Sequence, residues 1–327
     1  MALRVLFIGG TGIISSACAA LAVERGVDLT VLNRGTGRRP VPEGARTLTA
    51  DVRDPAAVRE ALGGEEFDAV VDFIAFTPDH VAADVELFTG RTGQYVFVSS
   101  ASAYAKPVAH LPITESTPLR NPFWSYSRDK IACEELLTRA WRETGFPAFV
   151  IRPSHTYDRT SIPLDGGWTA IDRMRRGDPV VVHGDGTSTW VLTHHTDFAR
   201  GFVPLLGEPA TIGDALHLTG DEVLTWDGIA RRLAAAAGVP DPRIVHVPSD
   251  VIAREAPDRG PSLLGDKAHS VVFDNTRLKR FVPGFAATTA FAQGAREIVA
   301  HHDAHPDLQV VDPVVDALQD RLVERFG

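Results

Sequence analysis

The sequence predicts an α/β protein: a doubly wound parallel sheet followed by a smaller C-terminal α/β lobe. Three observations predict it. Short apolar runs alternate with helix-periodic stretches through the first half of the 327 residues. A glycine cluster, Gly9-Gly10-Thr11-Gly12, closes the first apolar run. After Pro153 the texture changes, with longer Gly- and Pro-rich stretches such as Ile162–Gly167, Gly184–Gly186 and Arg254–Gly265.

Leu3–Ile8 is apolar throughout and reads as a strand covered on both faces. Ser15–Arg25 is an amphipathic helix, Leu29–Leu32 a second strand and Arg46–Ala50 a weaker third. Ala56–Leu62 is a helix, Ala69–Ile74 a strand, His80–Phe88 a helix and Tyr95–Ser99 a strand. This rhythm implies βαβ units and a parallel sheet. A long helix, Ser125 to Thr144, leads into the strand Ala148–Arg152. In the second half, helices are expected at Trp226–Ala237 and Pro313–Phe326, and a late strand at His217–Thr219.

A net charge of −9 argues against a nucleic-acid footprint, which needs a basic face to neutralise phosphates. The longest apolar runs are strand-sized, well short of a membrane span. The chain enters a strand almost at once, so no signal peptide is expected. Its two cysteines, Cys18 and Cys133, fall in predicted helices without metal spacing, which suits a reducing cytoplasm.

Gly9-x-x-Gly12 lies between a strand and a helix, where glycines let backbone N–H groups approach a pyrophosphate at the helix N-terminus. Gly9, Thr11, Gly12, Ile13 and Ile14 are the expected phosphate-side residues. The third position of the usual pattern is Ser15, a small hydroxyl residue that can cap the helix but slightly loosens the match to the motif. Residues 1–153 are accordingly expected to form a dinucleotide-binding domain, and 154–327 a substrate lobe. Late strands are expected to return to the first domain within about 190–220. Asn33-Arg34 ends the second strand where an acidic residue would accept from ribose hydroxyls and favour NAD. Asn33 cannot repel a 2′-phosphate and Arg34 can pair with one, a slight lean to NADP; a solvent-facing arginine is the plain alternative. Asp51 and Val52 are placed to hold an adenine edge, although a surface turn explains Asp51 as well.

Tyr126 and Lys130 are four residues apart and share one helix face. A phenol ordinarily ionises near pH ~10. A nearby ammonium, together with a positively charged nicotinamide ring, is expected to lower that value, so that the phenolate can exchange a proton while a hydride moves. The third hydroxyl comes from the end of the preceding strand: Ser100 first, with Ser99 and Ser102 as alternatives.

This set resembles the extended short-chain dehydrogenase/reductases, the NAD-dependent epimerase/dehydratase family. The resemblance rests on Gly9–Gly12, Ser99–Tyr104, Tyr126/Lys130, Ile151-Arg152-Pro153 and Gly184-Asp185-Gly186 with His194–Ala199. It implies a Rossmann domain binding NAD or NADP, a small C-terminal lobe, and a Ser100/Tyr126/Lys130 triad. A homodimer through the helix bearing Tyr126 and the one ending at Phe88 is also an expectation of the resemblance.

Three positions depart from the pattern. Ala101 and Ser102 stand where sugar dehydratases carry an Asp-Glu pair, so water loss is disfavoured. Trp190 stands where a diphosphate-clamping arginine is usual, and an indole offers one N–H and no bidentate grip. His155 replaces a common asparagine. Ser102, His155, Trp168 and Trp190 are therefore the candidate substrate residues, and the expected substrate is a polyhydroxylated or ring-bearing small molecule without the usual diphosphate. Adjacent His194 and His195 are read as structural, with no metal site expected. Epimerisation leads, net NADP-dependent reduction is the alternative, and a non-catalytic nucleotide-sensing or RNA-associated role is the third reading.

Overall fold

A computed structural model describes residues 2–37 and 39–327. The first half contains β1 (Arg4–Ile8), α1 (Ile13–Glu24), β2 (Asp28–Asn33), β3 (Arg46–Thr49), α2 (Pro55–Leu62), β4 (Ala69–Asp72), α3 (Pro78–Phe88), β5 (Tyr95–Val98), α4 (Ser125–Thr144) and β6 (Ala148–Pro153). The second half begins with β7 (His155–Tyr157), α5 (Trp168–Arg176), β8 (Val180–His183), β9 (Thr189–His194), α6 (His195–Phe202) and β10 (Ala215–Leu218). It continues through β11 (Val223–Thr225), α7 (Trp226–Ala236), β12 (Ile244–Val247), α8 (Ser249–Glu255), α9 (Gly260–Ser262) and a π-helical turn, Leu263–Lys267. It ends with α10 (Thr276–Phe281), α11 (Phe291–Ala304) and α12 (Pro313–Phe326).

Seven strands form one parallel sheet in the order β10-β6-β5-β4-β1-β2-β3. Alternation explains why its central strands read as unbroken apolar runs. Val5, Phe7, Val71, Val96 and Phe149 point to one layer, against Cys18 and Ala22 of α1 and Phe198 and Phe202 of α6. Leu6, Ile8, Val70, Phe97 and Val150 point to the other, against Val58, Val81 and Leu137 of α2, α3 and α4. Chain order reverses between β1 and β4, which opens a crevice at the carboxyl ends of the strands. β10 adds beside β6, with Leu216 opposite Ile151, so chain from the second half completes the sheet of the first.

The remaining strands make two small sheets, β11-β9-β7 and β12-β8, around Trp168, Trp190, Trp226, Ile229 and Phe291. One expectation changes here. Arg254–Gly265, read as Gly- and Pro-rich loop, is largely helical turns running into the π turn. Its breakers mark the ends of short turns, and a tertiary bond secures them: Asn121 Nδ2 donates to the Gly265 carbonyl at 2.7 Å.

Candidate active site

The glycine turn leaves β1 and starts α1. Gly9 has φ of 85°, and a Cβ there would lie 2.5 Å from Ile74 Cγ2; one on Gly10 would lie 2.7 Å from Val31 Cγ1. No larger residue fits either place without displacing a strand side chain. Ser15 caps α1, as a small hydroxyl residue there can. Its hydroxyl donates to the Gly9 carbonyl at 2.8 Å and accepts from Gly12 N–H at 2.7 Å.

A cleft of about 370 Å³ follows, lined by Gly9, Thr11, Gly12, Asn33, Arg34, Asp51 and Val52 among others. Asn33 Oδ1 accepts from Gly35 N–H at 2.7 Å and Asp51 Oδ1 from Arg53 N–H at 3.0 Å, so both side-chain oxygens shape turns. Arg34 is exposed beside them. Ile13 and Ile14 open α1, and the Ile14 side chain packs against the core beneath it, which leaves their first-turn backbone N–H groups as what they offer a phosphate. A glycine cradle that any Cβ would crowd, at a helix N-terminus on the sheet's reversal point, fits a dinucleotide. When bound, that group supplies or accepts the hydride.

Beyond β5, a 3₁₀ turn at Ala101–Ala103 presents hydroxyls in a chain. Ser127 Oγ donates to Ser102 Oγ at 2.8 Å, and Ser102 and Ser100 Oγ are 2.9 Å apart. Ser100 is half-buried and lines the same cavity as Tyr126. Ser99 turns the other way. It donates to Glu134, which accepts from Arg152 Nε at 3.0 Å; Arg152 donates on to Tyr104, whose hydroxyl meets His217 Nδ1 at 3.0 Å. This buried network knits β5, α4, β6 and β10 and removes Ser99 as an alternative.

Lys130 Nζ donates to the Ala75 and Val98 carbonyls at 2.7 and 2.8 Å, above the rings of Phe76 and Phe97. Burial brings its pKa down to about 8. In the protein without nucleotide, burial raises the Tyr126 pKa, opposed by the Ser100 hydroxyl and reinforced by Asp266, while Lys130 is turned to the two carbonyls. In the protein alone the phenol is held as an acid, ready to donate.

Ser100, Ser102, Tyr126, His155 and Trp190 line one cavity of about 280 Å³. Trp168 does not: it stacks on His302 at 5.2 Å within the lobe core, a correction to its reading as a ligand platform. The π turn contributes two residues that sequence reasoning missed, Asp266 and Lys267. Asp266 pairs at 3.5 Å with Lys106, whose side chain is fully buried. No periodicity marks Asp266 or Lys267; only an Asp-Lys step beside a glycine hints at them. β9 ends between His194 and His195, whose rings meet at 4.6 Å.

The model of the NAD dependent epimerase/dehydratase family matches residues 5–218. The chain belongs to that family. It is an NAD(P)-dependent enzyme of the extended short-chain dehydrogenase/reductase type. It is 29% identical to 2′-dehydrokanamycin reductase of Streptomyces kanamyceticus, over 86% of this chain and 80% of that protein. It is 32% identical to UDP-glucose 4-epimerase of Lactobacillus helveticus, over 46% of this chain and 51% of that protein, so this chain spans about half of that relative. Among solved structures, UDP-glucose 4-epimerase of Thermus thermophilus in complex with NAD superposes with a TM-score of 0.72 at 22% identity, covering 93% of this chain and 100% of that one. No described helix is long and apolar enough to cross a membrane.

Proposed function

We propose that the protein reduces a ketone, or in reverse oxidises a secondary alcohol, on a ring-bearing or polyhydroxylated small molecule, with NADP(H) as the exchanging cofactor. Ser100 orients the substrate oxygen, Tyr126 gives or takes its proton, and Lys130 holds charge beside the phenol. One observation carries this reading: Ser100 and Tyr126 meet at a cavity adjoining a glycine cradle, and Tyr126 is kept protonated there. A protonated phenol is the form that donates to an alkoxide developing as hydride arrives. Trp190 and His155 at the same cavity, in place of an arginine and an asparagine, support a substrate without a diphosphate. Arg34 at the cleft supports the NADP lean. The reductase from Streptomyces kanamyceticus aligns over most of this chain, which supports net reduction over epimerisation.

Epimerisation stands second, supported by the epimerase that aligns over about half of the chain. Nucleotide release distinguishes the two. The protein is purified without added nucleotide and denatured, and any nicotinamide is identified by mass and absorbance. Empty protein that binds NADPH reversibly supports reduction. Stoichiometric bound NAD would overturn it in favour of an epimerase that keeps its cofactor through many turnovers. The non-catalytic reading predicts that Tyr126→Phe leaves every measurable function intact.

A further inference from the structure

A second cavity, about 210 Å³, opens from the first. The two share His155 and Lys267, which form the neck between them. The second cavity is largely apolar, with Leu164, Val182, Trp226, Leu263, Leu318 and Leu322 on its walls. Its one arginine, Arg259, is paired with Asp165 at 3.0 Å.

The neck is chemically one-sided. Trp190 Nε1–H, which can only donate, points at His155 Nδ1 at 3.1 Å. Nδ1 is therefore a lone pair, and the ring proton sits on Nε2, which has no protein partner among the described residues. The imidazole also stays neutral: burial, and then the charge of Lys267, bring its pKa down to about 3. His155 is thus a fixed donor. Lys267 is the second donor. Its ammonium lies 5.7 Å from the Trp124 ring centre with no ion-pair partner among the described residues, while the neighbouring Asp266 is paired with Lys106. Asp266 is thus one carboxylate beside two ammoniums, Lys106 and Lys267, and the unmatched positive charge is costly unless a ligand brings its counter-charge.

We propose that this neck recognises a carboxylate of the substrate, held by His155 Nε2–H and the Lys267 ammonium, with an apolar ring of the same molecule in the second cavity. The inference rests on the hydride-transfer reading and names the substrate class for that site. One ammonium and one neutral donor match a single negative charge. A diphosphate carries more, and the arginine lining these cavities among the described residues, Arg259, is already paired with Asp165. An amine would meet two donors, and the one carboxylate lining the same cavity among the described residues, Asp266, is already paired with Lys106.

Three probes separate the parts: phenylpyruvate has ketone, carboxylate and ring; benzyl methyl ketone lacks the carboxylate; pyruvate lacks the ring. Their binding to the NADP⁺-loaded protein is measured by calorimetry. Phenylpyruvate is expected to bind roughly tenfold to a hundredfold more tightly than either analogue, the range that hydrogen bonds to a charged group contribute. Lys267→Met and His155→Phe should erase the preference for the carboxylate. His155→Gln, which restores a side-chain N–H, should recover part of it. Independently of any substrate, ¹⁵N NMR should show His155 protonated on Nε2 and bare on Nδ1, and Trp190→Phe should release that tautomer. Equal binding of phenylpyruvate and the ketone, no binding of any probe, or an Nδ1–H tautomer in the unaltered protein would each overturn the proposal. Failure to bind NADP⁺ at all would instead break the hydride-transfer reading, so the two failures are distinguishable.

Discussion

The nucleotide cleft and the substrate cavity adjoin each other but are built in opposite ways. Consecutive strand ends make the cleft: the turn after β1, Asn33 and Arg34 after β2, Asp51 and Val52 after β3. Its residues keep their places because a sheet register holds them. The cavity gathers Ser100, Tyr126, His155, Trp190 and Lys267, whose segments meet only when the lobe closes on the sheet. The cleft therefore tolerates little change in backbone, as the crowding at Gly9 and Gly10 shows. The cavity keeps its shape through side-chain bonds such as Trp190 to His155 and Asn121 to Gly265, and can be re-cut by single substitutions. This difference explains how one scaffold holds a common cofactor beside varied substrates.

If the two regions are separable, Tyr126→Phe should lower the hydride-transfer rate by about 10²–10⁴-fold with NADPH affinity unchanged, read by single-turnover kinetics beside a fluorescence titration. An equal loss of NADPH binding would break the separation. Glu134→Ala tests the network that joins them. It leaves Arg152 buried without its carboxylate and should cost about 3–5 kcal/mol in a denaturant melt, because an unpaired buried charge is strongly destabilising. A loss within ordinary surface values would remove that network from the account. Arg34→Ala should weaken NADPH by about tenfold relative to NADH, with the probe preferences of the neck untouched, since it removes one pairing with the 2′-phosphate. No change in the ratio would return Arg34 to solvent.

Two pH effects sharpen the comparison further. Lys130 is charged below its lowered pKa of about 8, so kcat/KM should fall as pH rises through that value, and Lys130→Arg should move the limb upward. His155, at about 3, and His183 and His195, at about 4, are all lowered by burial and stay neutral in the fold. Unfolded histidines take up protons near pH ~6.5, so the stability these three confer is full above that value. It should be lost progressively as pH falls toward about 4, seen as a declining Tm. A Tm that is flat across that window would contradict their neutral burial.

Alternation of strand and helix, the glycine turn and the Tyr126/Lys130 spacing were legible because they are local: each is a pattern within one turn or one strand. The Ser15 cap was local too, a hydroxyl three residues past Gly12 that bonds back across the turn. Trp168 and Trp190 look alike in sequence, two tryptophans near glycines. One stacks on His302 in the core and the other reaches His155 at the cavity. Which of them lines the cavity was decided by how α5 and β9 pack, contacts between residues far apart in the chain.

By itself, then, the sequence determined the sheet, the cofactor cradle and the helix that carries Tyr126 and Lys130. Their periods and turn chemistry are set by neighbouring residues. Only the tertiary structure decided that Ser100 and not Ser99 faces the cavity, that Lys130 grips two strand-end carbonyls, and that a π turn delivers Asp266 and Lys267. It also decided the tautomer of His155. Each of these depends on direction and burial, which arise when distant segments exclude water between them and have no signature in local sequence.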